Sequence, residues 1–171
     1  MNRRSLTISD RVDQEIRAHG QQTYPHECCG ALVGRDNQVT AFVALPNTTE
    51  EGPRRRFLVR PAEYREAERR ASELGAELVG FYHSHPDHPA RPSQYDLDHA
   101  WPTFAYIIVA VAGDGLARRR DGATSGGATA GGATAGDMTV WYLKNDRSSF
   151  EEGSLHHGEN SHPDTAQAIH G

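Results

Sequence analysis

ELVGFYHSHPDHPARPSQYD, residues 77–96, holds a strand, a stiff loop and the start of a helix. Residues 77–82 read as a strand that delivers the chain into His83-Ser84-His85-Pro86. Pro86, Pro89 and Pro92 then make 87–92 a rigid loop, because each proline fixes φ and removes a backbone donor. Ser93 can cap a helix over 94–100. In an extended segment residues i and i+2 face the same way, so His83 and His85 share one side. Two histidines at that spacing are weak evidence alone. Asp96 gives them meaning: it lies on the first turn of the helix that the proline loop folds back. Two imidazoles and a carboxylate suit zinc, and three protein ligands leave a fourth position for water, as a catalytic site requires. His83, His85 and Asp96 are therefore the expected ligands of a Zn2+ ion.

Downstream, residues 104–112 form the most hydrophobic run and read as a central strand. Upstream, residues 28–34 read as a buried strand, Arg35-Asp36-Asn37 as a turn, and 38–45 as the second arm of a hairpin. Ser9 is the expected N-cap of a short amphipathic helix ending near Gly20. Residues 46–55 read as loop and 56–60 as a short strand. Pro61 opens a helix that runs to about Leu74, with Gly75 as its stop. Arg118, Arg119 and Arg120 can extend a further strand. Residues 122–136 consist of Gly, Ala, Thr, Ser and one near-repeat, with nothing to bury, and are expected to be a flexible loop. Residues 138–144 resume as a strand. The interleaved order predicts a mixed α/β (α+β) fold, a mixed sheet flanked by helices. The expected organisation is one domain over 1–150 and a disordered His-rich tail over 151–171.

The 171 residues suffice for one domain with its own core. A net charge of −5 argues against a nucleic-acid binder, which needs a basic face. The basic runs 54–56 and 118–120 read as solvated. Cys28 and Cys29 are the only cysteines and are adjacent, so they cannot reach each other across a strand and read as core residues. No apolar run is long enough to span a membrane, and none follows Met1 as in a signal peptide. The expected location is the cytoplasm. Oligomeric state stays open, a homodimer included.

Amide hydrolysis also needs a group that takes a proton from water and returns it to the leaving amine. Glu27 is a candidate because it leads into a buried strand, where a charge is otherwise costly. Ser93 can donate to a developing oxyanion; capping the helix is an equal reading of the same residue.

The set Glu27, His83-Ser84-His85-Pro86, Ser93 and Asp96 resembles the JAMM (MPN-plus) metalloprotease motif. Residues 25–34, PHECCGALVG, resemble that family's first strand. The resemblance covers roughly residues 6–143, and no motif position departs from it. It implies a sheet-and-helix fold distantly related to the cytidine deaminases. It also implies that His83, His85 and Asp96 bind zinc, Glu27 acts as general base, Ser93 supports the oxyanion, and Ser84 stands behind the ligands. The implied reaction is cleavage of an amide or isopeptide bond at the C-terminal diglycine of a ubiquitin-like or sulfur-carrier protein. The short chain is most similar in kind to small prokaryotic members, including those that release cysteine from sulfur carriers. Two rivals within the family are a deconjugase acting on lysine-linked modifiers and a metal-free scaffold that only binds partners. A nucleobase deaminase would need a Pro-Cys-x-x-Cys pair, which the sequence lacks. His88 and His99 flank the site, and their bland reading is exposed loop. His156, His157, His162 and His170 read as a polar tail without a site.

Overall fold

The computed structural model describes residues 3–47, 59–113 and 133–158. In chain order the elements are β1 (Ser5–Ser9), α1 (Asp10–Thr23), β2 (Cys29–Arg35), β3 (Gln38–Leu45), α2 (Pro61–Glu73), β4 (Glu77–Pro86), α3 (Gln94–His99), β5 (Ala105–Gly113), β6 (Ala133–Leu143), β7 (Phe150–Glu152) and β8 (Ser154–Gly158). The strands form one sheet in the order β7-β6-β5-β4-β2-β3-β1-β8. The predicted mixed α/β class holds: β4 pairs antiparallel with β2 and parallel with β5. Because β4 is central, residues 80–86 are all buried.

The hairpin between β2 and β3 turns at Asp36 and Asn37, with φ of 52° and 62°. A two-residue turn with both φ positive matches the twist of the flanking strands, and Asp and Asn tolerate it better than most residues. Gly75, at φ 66°, ends α2 as expected, and Ala76 N closes the helix on Ala71 O at 2.9 Å.

The two faces of the sheet bury different partners. Val12 and Ile16 of α1 pack with Leu6, Leu32, Tyr82, Ile107, Val109 and Val140. Ala67 and Ala71 of α2 pack on the opposite face, with Ala31, Val33, Phe81 and Tyr106. Each fully buried Leu or Ile contributes about 1.5–3 kcal/mol. β7 and β8 stand at opposite ends of the strand order, yet only Gly153 separates them. Gly153 N donates to Val140 O on β6, and Ser154 N donates to Arg4 O beside β1. The sheet therefore curls until its edges meet, with α1 against the inner face.

Five readings need correction. β1 is not read from the sequence, because it is five residues long; its alternation of Leu6 and Ile8 with polar neighbours becomes a strand through parallel pairing with β3 and β8. α1 does not end at Gly20 but runs to Thr23. A Cβ at Gly20 would lie 3.0 Å from Val111 Cγ2, so this glycine permits close packing on β5. The Gly-rich stretch is not loop to its end: from Ala133 it is paired with β5, which supplies partners its own side chains could not. The expected tail is ordered over β7 and β8, because β6 and β1 supply backbone partners. Val59 and Arg60 lie outside any strand. The rest of that expected strand, the Arg118–Arg120 run, residues 122–132 and residues 159–171 lie outside the described residues. Among the described residues no helix is long and apolar enough to cross a membrane.

Candidate active site

Alternation along β4 sends Phe81, His83 and His85 to the α2 side and Tyr82 and Ser84 to the α1 side. α3 then returns Asp96 to the two imidazoles. Its start is fixed by a reciprocal cap: Ser93 Oγ accepts from Asp96 N at 3.1 Å, and Ser93 N donates to Asp96 Oδ2 at 2.7 Å. His83 Nε2 lies 3.3 Å from Asp96 Oδ1, His85 Nε2 lies 3.4 Å from Asp96 Oδ2, and the two Nε2 atoms are 3.0 Å apart.

These distances test whether a metal fits. One ligand atom from each of the three residues lies within 4.8 Å of the other two, and each imidazole has its own Asp96 oxygen at hand, a spacing that a single zinc ion with ligands at about 2.0–2.1 Å can draw together. His85 Nδ1 donates to Pro89 O at 2.9 Å, which leaves Nε2 with its lone pair for a metal. His83, His85 and Asp96 are the one such metal-competent group among the described residues. Burial alone would raise Asp96, but the neighbouring His83 and His85 imidazoles outweigh it and hold the carboxyl below the usual range.

Glu27 precedes β2 by two residues and is 4% exposed. It lies two positions before Cys29, which belongs to the α2-side core and pairs with His83. Burial first, and the charge on Asp96 second, push Glu27 up to about 9. Its Oε2 is buried without a hydrogen-bond partner. A native fold leaves few such atoms, and a carboxylate kept open beside a metal-competent cluster fits a proton-handling role. A cation at the cluster would draw its pKa back down. The backbone around Glu27 is tied twice: Asn47 Nδ2 donates to Glu27 O at 3.1 Å, and Cys28 N donates to Ser84 Oγ at 2.8 Å. Ser84 thus faces away from the imidazoles and acts on the segment that carries Glu27.

Beside the cluster opens a narrow apolar cleft, reaching His83 and Asp96 between Val59, Phe81, Trp101 and Tyr106. Trp101 stacks on Tyr64 at 4.5 Å, and its backbone N donates to Tyr106 Oη at 2.6 Å. The sequence carries no signal for this wall, since its members converge from four separate stretches of the chain. His99 also lines the cleft and stacks on Tyr95, whereas His88 is exposed. Cys28 and Cys29 are buried free thiols, both raised by burial, and neither joins the ligands. His156 and His157 sit in β8, and His157 Nε2 is 3.4 Å from Asp13 Oδ1; His162 and His170 lie outside the described residues.

Comparison with known proteins agrees with this geometry. The family described as prokaryotic homologs of the JAB domain matches residues 9–121. A desampylase from Haloferax volcanii is 36% identical over 115 residues, covering 63% of this chain and 82% of that protein. A probable TtuB-protein conjugate cleaving protease from Thermus thermophilus is 33% identical over 100 residues, covering 58% of this chain and 66% of that protein. The solution structure of a protein from Desulfitobacterium hafniense superposes with a TM-score of 0.69 at 26% identity, covering 91% of this chain and 94% of that one. The matched span contains Glu27, all three metal-competent side chains and the strands that hold them, and the chain therefore belongs to the prokaryotic JAB-domain family, as a JAMM-type metallopeptidase.

Proposed function

We propose that this chain is a zinc-dependent peptidase that hydrolyses the amide or isopeptide bond following the C-terminal diglycine of a ubiquitin-like or sulfur-carrier protein. The observation that carries this reading is the convergence of His83 Nε2, His85 Nε2 and the Asp96 carboxylate on one point beside the unpartnered Glu27 Oε2.

Zinc held by His83, His85 and Asp96 supplies a nucleophile at neutral pH by lowering the pKa of water to about 7. Glu27 accepts the proton released from the attacking water on its open carboxylate oxygen. It then delivers that proton to the nitrogen of the departing amine, so the leaving group departs neutral. Ser93 Oγ already accepts a bond from Asp96 N. A hydroxyl has one proton to give besides, and that proton serves the carbonyl oxygen as negative charge develops. Cap and oxyanion donor are thus compatible roles of one side chain. Glycines at the substrate's C-terminus suit such a site, because without Cβ atoms their backbone can approach the buried cluster closely.

The names of the two relatives, a desampylase and a probable TtuB-protein conjugate cleaving protease, favour a protein conjugate as substrate over a cysteine-extended carrier. The experiment offers zinc-loaded protein two diglycine-ended sulfur carriers, one extended by cysteine and one linked to a lysine side chain, and reads the products by mass spectrometry. Release after the diglycine from either supports the proposal, and the preferred substrate distinguishes peptidase from deconjugase. Intact substrates with a full zinc complement would sink it and leave the partner-binding scaffold.

A further inference from the structure

The reacting groups come from two segments that are distant in sequence. Residues 24–28 lead from the end of α1 into β2 and carry Glu27. Residues 86–92 leave β4, and within them Pro89 O holds the ring of His85. Beyond the ladder, a side-chain contact joins the two segments: Tyr24 Oη donates to Asp87 Oδ2 at 2.8 Å. The other oxygen, Asp87 Oδ1, accepts from Gly113 N at 3.0 Å, and Asp87 N donates to Val111 O at 2.7 Å. One residue therefore grips the Glu27 segment, the ligand loop and the end of β5.

Two further features mark this as a built contact. Asp87 has φ 58°, a left-handed conformation that residues other than glycine adopt at a cost, so its partners hold it there. A Cβ at Gly113 would lie 2.6 Å from Tyr24 Oη, so the missing side chain is what admits the hydroxyl. Neither Tyr24 nor Asp87 belongs to the metal-competent group.

We propose that Asp87 is a positioning residue which, through Tyr24, fixes where Glu27 stands relative to His83, His85 and Asp96. This rests on the metallopeptidase reading of the site. The clamp is a property of the fold, however, and can be measured without turnover.

The test uses the full chain loaded with zinc, and two variants. Tyr24→Phe removes the hydroxyl alone. Asp87→Gly removes the carboxylate while admitting the positive φ. Because supporting residues behind metal sites cost about 10–100-fold when lost, each variant is expected to lower kcat by about tenfold, with KM and zinc content per chain near those of the wild type. The double variant is expected to be no worse than Asp87→Gly. In hydrogen exchange read by mass spectrometry, Asp87→Gly should speed the amides of residues 26–28, and Tyr24→Phe those of Asp87 and Gly113. Unchanged kcat, a loss that tracks zinc or melting temperature, or faster exchange confined to the mutated segment would each overturn the proposal. If the wild-type protein cleaves neither substrate, the proposed function fails while exchange still decides the clamp: coupled segments uphold it and uncoupled segments overturn it.

Discussion

β4 carries two kinds of buried polar residue on its two faces. On the α1 side, Tyr82 Oη meets His19 Nδ1 at 2.8 Å, and Ser84 Oγ accepts from Cys28 N. These groups are matched within the fold and add specificity to a core that α1 closes. On the α2 side, His83 and His85 converge with Asp96 on one point, and Glu27 Oε2 has no partner. A buried polar atom without a partner costs stability, so this face is built for something the polypeptide itself does not supply. The same strand thus serves as scaffold on one side and as reactive site on the other, one residue apart in phase.

Substitutions on the reactive face should abolish function while sparing the fold, and those on the closed face the reverse. The largest effect is expected for His83→Ala or Asp96→Ala. With one of three ligands gone, zinc should fall from about one per chain to near none, and turnover to background. Metal analysis of the purified protein checks this, and a full zinc complement in His83→Ala would break the contrast. Glu27→Gln should keep its zinc and lose about 10²–10⁴-fold in kcat, the usual weight of a general acid–base.

The metal-free protein offers a second view of Glu27. Its carboxyl is raised in the folded state, from 4.5 to about 9. Folding then takes up a proton between those values, and stability falls as pH rises through that window. Glu27→Gln should flatten this slope, so its urea midpoint should exceed that of the wild type more at pH 8 than at pH 5. Equal slopes would mean that Glu27 is solvated in the metal-free chain.

Two changes on the closed face complete the comparison. A Cβ at Gly30 would lie 2.3 Å from the Tyr82 ring, so Gly30→Ala forces overpacking and should cost about 1–3 kcal/mol. Tyr82→Phe leaves the ring and removes one hydrogen bond, at about 1 kcal/mol and a fall in melting temperature of roughly 2–4 °C. Its zinc content and kcat should match those of the wild type, as calorimetry beside activity assays would read. A loss of zinc on Tyr82→Phe would show that the two faces are not independent.

The chain's local chemistry specified much of this before any coordinates. Proline, glycine and Ser/Asp punctuation placed β3, both ends of α2 and the cap at Ser93, because turns and caps depend on near neighbours, and an unbroken hydrophobic run placed β5. The spacing of His83, His85 and Asp96 picked out the group that the structure brings together as metal-competent, since strand period and helix first turn are local rules. Long-range pairing placed the rest. β1 and β8 are too short to declare themselves and exist because each completes the other's ladder. Ala133 opens β6 only because β5 lies beside it. Tyr24, Asp87, Asn47 and the Trp101–Tyr106 wall act across 5 to 63 residues of chain, and no periodicity encodes such meetings. Residue types and spacing marked the metal-competent cluster; folding brought Glu27, which no local rule could have placed, within reach of the charge on Asp96.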